Sequence, residues 1–98
     1  MGKVNKDIVE GLKGLLKGVV ESIVDEPSKV HINVVPAAYR LLAELHTDPD
    51  DVGQVIGRKG TVVGSIRTIL AAFGGKHGIK VDLSYVTERE KDAANGRY

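Results

Sequence analysis

Gly57-Arg58-Lys59-Gly60 sets two glycines around two cations. Glycine admits backbone angles closed to other residues and lets a ligand's own backbone come close. Two adjacent cations at the tip of such a turn attract anions, and the amides opening a following helix add to the attraction. The chemistry this favours is noncovalent contact with phosphate. The tetrapeptide alone says little, since Gly75-Lys76-His77-Gly78 repeats its form. Context separates the two. The first stands between two expected helices and continues as Gly60-x-x-Val63-x-x-Ile66. The second stands between an expected helix and a strand, where glycine caps and turns the chain.

Other chemistries lack their parts. A nucleotide-hydrolysing loop needs a longer glycine loop with Lys followed by Ser or Thr. His31, His46 and His77 fall on separate expected elements, without the paired spacing of metal ligands. Asp48, Asp50 and Asp51 suit a helix start better than acid-base work. The chain has no cysteine, which removes disulfides, thiolate metal sites and thiol nucleophiles together. No nucleophile, base and orienting residue can be assembled. The expectation is a binding protein with no cofactor and no bound metal, not an enzyme.

Charge is distributed unevenly. Net charge over 98 residues is only +1. Yet Gly53 to Val81 carries Arg58, Lys59, Arg67, Lys76 and Lys80 and none of the thirteen acidic residues. A basic segment within a nearly neutral chain is a local electrostatic footprint. With 42% hydrophobic and 28% charged residues, the composition is that of one soluble globular domain. No apolar run nears the roughly 18 residues of a membrane span, and no secretory signal is visible. A cytoplasmic location is expected.

The elements that must position the loop are legible from periodicity. Ile8, Leu12, Leu15, Leu16, Val19, Val20, Ile23 and Val24 recur at helical spacing, and Pro27 is the expected stop. Gly11, Gly14 and Gly18 edge this stripe, either to admit another backbone or simply as tolerated residues. Val30, Ile32 and Val34 alternate with polar neighbours, as do Tyr39, Leu41, Ala43 and Leu45. With the Pro36-Ala37-Ala38 break between them, they read as a hairpin. Asp48 suits an N-cap and Pro49 a first helical position. A short helix follows on Val52, Val55 and Ile56, stopped by Gly57. A second runs from about Thr61 to Phe73, ended by Gly74-Gly75. A last strand spans Ile79 to Val86, and the charged tail from Thr87 is expected to fray. The order helix, strand, strand, helix, helix, strand is an α+β layer with helices on one sheet face. A crossover through two helices allows the third strand to run parallel to the second.

The string Val55-Ile56-Gly57-Arg58-Lys59-Gly60-Thr61-Val62-Val63-Gly64-Ser65-Ile66 resembles the signature of the KH family, and the element order its prokaryotic type II form. Val24-Asp25-x-Pro27, Val52-Gly53-x-Val55-Ile56-Gly57 and Ile66-Arg67-Thr68 are similar to the KhpA family, small single-KH proteins of bacteria. The resemblance covers about Leu16 to Val86. It implies an N-terminal extension over 1–15, a KH domain over 16–86 with a three-stranded mixed sheet, and a tail over 87–98.

In KH domains the loop clamps the backbone of about four single-stranded nucleotides. The resemblance therefore implies that Gly57, Arg58, Lys59 and Gly60 form a clamp for single-stranded RNA. Gly53, Val55 and Ile56 on one side, and Val63 and Ile66 on the other, would shape an aliphatic groove. Some of these must also be core. Arg67 reaches a phosphate or is a solvated helix residue. Gly64 departs from the family, where a basic residue is common. Pro36-Ala37-Ala38 departs from a more polar turn. The family further implies an RNA chaperone or post-transcriptional regulator, linked to cell shape and peptidoglycan homeostasis. It acts as a homodimer or with KhpB, a larger KH-domain partner; no membrane or small-molecule substrate is expected. The rival expectation is a protein-interaction adaptor with little RNA binding of its own. Its supports are the glycine-edged first helix, the low net charge and the missing base at position 64.

Overall fold

Asn5 opens the first helix, its side-chain oxygen accepting the Ile8 N–H at 2.9 Å. The computed structural model describes residues 4–87. Helix α1 spans Lys6–Glu21 and buries Leu12, Leu16 and Val20 completely, one stripe at four-residue spacing. It ends at Glu21, six residues before Pro27. The Ser22 hydroxyl and N–H both donate to the Gly18 carbonyl, closing the last turn, and Pro27 instead opens a 3-10 turn, Pro27–Lys29. Val24 lies past the helix and is still buried. A side chain at Gly11 would touch the Phe73 ring at 3.6 Å, while Gly14 and Gly18 face open space. Within one copy, then, no backbone packs closely on this edge.

Strands β1 (His31–Pro36) and β2 (Arg40–His46) pair antiparallel, with His31 opposite His46 and Pro36 opposite Leu41. Strand β3 (Lys80–Tyr85) lies parallel to β2, with Leu41 opposite Val81 and Leu45 opposite Tyr85. The sheet order β1-β2-β3 leaves β1 and β3 as edges. Leu41, Ala43 and Leu45 are fully buried under the helices, and the residues between them are not, so one sheet face remains open. That face carries an Asn33–Glu44 hydrogen bond of 2.8 Å and an Arg40–Asp82 ion pair of 3.5 Å. The expected α+β class, element order and mixed sheet are all observed.

Helices α2 (Val52–Ile56) and α3 (Thr61–His77) form the crossover. Gly74 and Gly75 do not end α3. The end comes at Gly78, left-handed at φ 68°, where the Ile79 N–H bonds the Gly74 carbonyl and the Gly78 N–H the Gly75 carbonyl. This is the paired-bond closure that favours glycine just past a helix. It folds the chain back over Gly74, where a Cβ would stand 2.6 Å from the Ile79 oxygen. Gly74 serves that close approach, and the repeat Gly75-Lys76-His77-Gly78 is a helix end. The expected tail lies outside the described residues beyond Thr87.

Candidate functional site

Helix α2 is only five residues long and is fixed at both ends. At its start, the Asp48 carboxylate accepts the Asp50 N–H at 2.9 Å, and Pro49–Asp51 form a 3-10 turn before the helix proper. Asp51 behaves differently from its two acidic neighbours. It is 1% exposed and accepts the N–H groups of Asp25 at 3.3 Å and Glu26 at 3.1 Å. Its carboxylate ties the start of α2 to the segment that follows α1, rather than standing on the helix axis as an exposed charge. Gln54 adds a second tie, its Nε2 donating to Asp25 Oδ2 at 2.9 Å, while its Oε1 is buried without a partner. Sequence reasoning missed Asp51, because one acid suffices to cap a helix and three adjacent acids look interchangeable.

At its other end α2 stops at Gly57, whose φ of 75° and ψ of 174° turn the chain sharply. A Cβ there would collide with the Val62 side chain and stand 2.9 Å from the Val62 nitrogen. Lys59 (φ 57°) and Gly60 (φ 76°) are also left-handed, and Lys59 is the only such non-glycine residue described. The Gly60 N–H donates to the Gly57 carbonyl at 3.2 Å and the Thr61 hydroxyl to the Arg58 carbonyl at 2.9 Å. These bonds hold the turn while Arg58 and Lys59 remain exposed. Neither is engaged in an ion pair among the described residues, where Arg40–Asp82 is the only one. The 17-residue α3 begins directly behind the turn and has no acid in its first turn, so its positive end is not neutralised. The result is a cationic turn backed by helix amides, suited to holding phosphate.

The other expected site residues divide by burial. Gly53 is exposed on α2 with open space at its Cβ position, and Ile56 is half-buried beside it. Val55 is completely buried, Ile66 3% exposed and Val63 8% exposed. These three are turned inward, leaving Gly53 and Ile56 as the accessible flank. Arg67 is exposed and leans across α3 to the edge strand, its Nη2 3.5 Å from the Leu83 carbonyl. None of the described aromatics lies on the turn, on α2 or in the first half of α3. Tyr39 precedes β2, Phe73 packs near His77, and Tyr85 is buried. Tyr85 shares a 2.6 Å hydrogen bond with Thr47. Burial pushes its phenol above the ordinary 10.0; the Thr47 bond opposes that rise and the nearby Asp51 charge adds to it. Among the described residues, no group of three or more His, Cys, Asp or Glu is arranged to hold a metal, and no helix is long and apolar enough to cross a membrane.

Residues 13–84 match the model of the KhpA/KhpB KH domain. Curated relatives agree along most of the chain. An RNA-binding protein KhpA of Mycobacterium bovis is 37% identical over 76 residues, covering 78% of this chain and 89% of the relative. One of Clostridium perfringens is 37% identical over 70 residues, 71% and 93% of the two chains. One of Chlamydia caviae is 30% identical over 78 residues, 80% of this chain and all of its own.

Proposed function

We propose that this chain, which belongs to the KhpA/KhpB family of KH domains, binds single-stranded RNA by clamping its backbone in the Gly57–Gly60 turn. The observation that carries this is the turn itself. Its left-handed residues Gly57, Lys59 and Gly60 present Arg58 and Lys59, in no ion pair among the described residues, in front of an acid-free helix start. Related chains of similar length carry the name RNA-binding protein, which supports the same ligand here. With no aromatic platform beside the turn among the described residues, affinity rests on phosphate contacts and on the groove flank of Gly53 and Ile56. Sequence selectivity is accordingly weak and salt dependence strong. Arg67 extends the contact along α3 toward β3.

The role that follows is an RNA chaperone or post-transcriptional regulator of the cytoplasm, acting as a homodimer or with the larger KH-domain protein KhpB. A tie to cell shape and peptidoglycan homeostasis belongs to the same proposal. Protein docking is a second function favoured by one observation, the exposure of Val35 (46%) and Tyr39 (51%) around the hairpin.

Replacing Arg58 and Lys59 together with Asp tests the clamp. Single-stranded RNA affinity is expected to fall about tenfold or more, with the log–log salt slope shallower by at least about 1.4. Unchanged binding by the folded variant overturns the clamp. Partner co-purification that survives the same change assigns docking to another surface.

A further inference from the structure

Two clefts meet at His31, on the opposite edge of the sheet from Arg67. The larger, about 260 Å³, lies where the β1–β2 pair ends and the chain turns into α2; Lys29, His31, His46, Thr47 and Asp48 line it. The smaller, about 240 Å³, is lined by Lys13 and Lys17 of α1 and by Val30, His31 and Ile32 at β1. His31 and His46 are direct cross-strand partners. Opposed residues of an antiparallel pair share a sheet face, and the neighbouring pair Ile32–Leu45 packs into the core, so both imidazoles stand on the open face. The two clefts share His31, and the surface they make up, a trough in two parts, carries three lysines and two histidines.

Among the described residues, none of these charges stands in an ion pair. Arg40–Asp82 is the only ion pair among the described residues. Asp48 is the only acid on either lining and stands against three lysines. Lysines beside a strand edge also block edge-to-edge pairing. That role explains a charge next to β1, but not two adjoining clefts or two cross-strand imidazoles. A protein partner would want an apolar centre to desolvate; Val30 and Ile32 are largely withdrawn into the core, and the apolar part of the surface is Pro49, Val52 and Val86 at the larger cleft. Three lysines against one acid across the two linings suit a chain of phosphates. The trough is also distinct from the clamp: Val52 lines the larger cleft, and α2 carries the chain about 7 Å further before Gly57 begins the turn.

We propose that the Lys13–Lys17–Lys29 trough, with His31 and His46, is a second backbone-binding surface for single-stranded RNA. It engages strands too long for the clamp alone. The proposal rests on the RNA-binding function of the clamp, and the test separates the two.

Uridine oligomers of about 5 and about 20 nucleotides, the shorter near the four-nucleotide span of a KH clamp, are titrated against three proteins. These are the unaltered chain, K13E/K17E/K29E and R58D/K59D. The unaltered chain is expected to bind both oligomers. The lysine variant is expected to keep short-oligomer affinity within about twofold. It should bind the long oligomer about tenfold or more weakly, with a salt slope shallower by at least about 2. K13Q/K17Q/K29Q is expected to shift the same way by less, which guards against a folding defect in the reversed-charge variant. Long-oligomer binding unchanged in the folded lysine variants, with R58D/K59D weakened, overturns the trough and leaves the clamp standing; the surface then serves another anionic partner. If the unaltered chain binds neither oligomer, both fall together.

Discussion

Lys59 is the residue in which conformation and charge can be pulled apart. It holds φ 57° and ψ 27°, a left-handed state that carries a penalty of roughly 1–2 kcal/mol for a side-chain-bearing residue. Glycine at that position removes the strain but loosens the unfolded chain by about 0.5–1 kcal/mol. Lys59→Gly is therefore expected to leave unfolding free energy within about 1 kcal/mol of the unaltered chain while weakening RNA binding several-fold. Chemical denaturation and an RNA titration on the same sample check this. Unchanged RNA affinity would mean that the tip cation is not used. The glycines and cations of this turn were legible in the sequence because each residue type is chosen for a property of its own. Asp51 was not, because its partners are the backbone amides of Asp25 and Glu26. Any residue but proline offers such an amide, so no side chain in the sequence announces the contact.

Among the elements, α2 is too short to hold its place by helical hydrogen bonding. Its position depends on what grips its ends. The Asp51 carboxylate grips the start through two backbone N–H groups in a buried setting. Removing it strands those donors away from water. Asp51→Ala is expected to destabilise the fold by about 2–4 kcal/mol, and Asp51→Asn, which keeps one acceptor, by about half as much. Urea unfolding reads both, and a loss under about 0.5 kcal/mol for the alanine variant would show that α2 is held otherwise. The ends of the other helices were the least legible features. Pro27 and Gly74-Gly75 are both strong stop signals. Yet α1 closes earlier on the Ser22 hydroxyl, and α3 runs on to Gly78 because Gly74 is needed beneath the Ile79 carbonyl. A glycine needed for close approach and a glycine needed for a left-handed turn look alike in a sequence.

For the whole molecule, a net charge of +1 conceals two separate cationic surfaces. The clamp and Arg67 stand around α3 and the β3 edge, and the lysine trough lies along the β1 edge. The first was legible because its residues are contiguous and free of acids. The trough was not, because Lys13, Lys17, Lys29, His31 and His46 come from four elements that only the fold brings together. The parallel pairing of β2 with β3 was legible from the two-helix crossover between them. That crossover carries the Gly57–Gly60 turn between α2 and α3. The most direct measurement is an amide chemical-shift titration of the full chain with a single-stranded RNA of about four nucleotides. The amides of Gly57 to Thr61 are expected to shift first and furthest, with Gly53, Ile56 and Arg67 following and the open sheet face silent. Saturable shifts elsewhere with Gly57 to Thr61 unmoved would contradict the clamp.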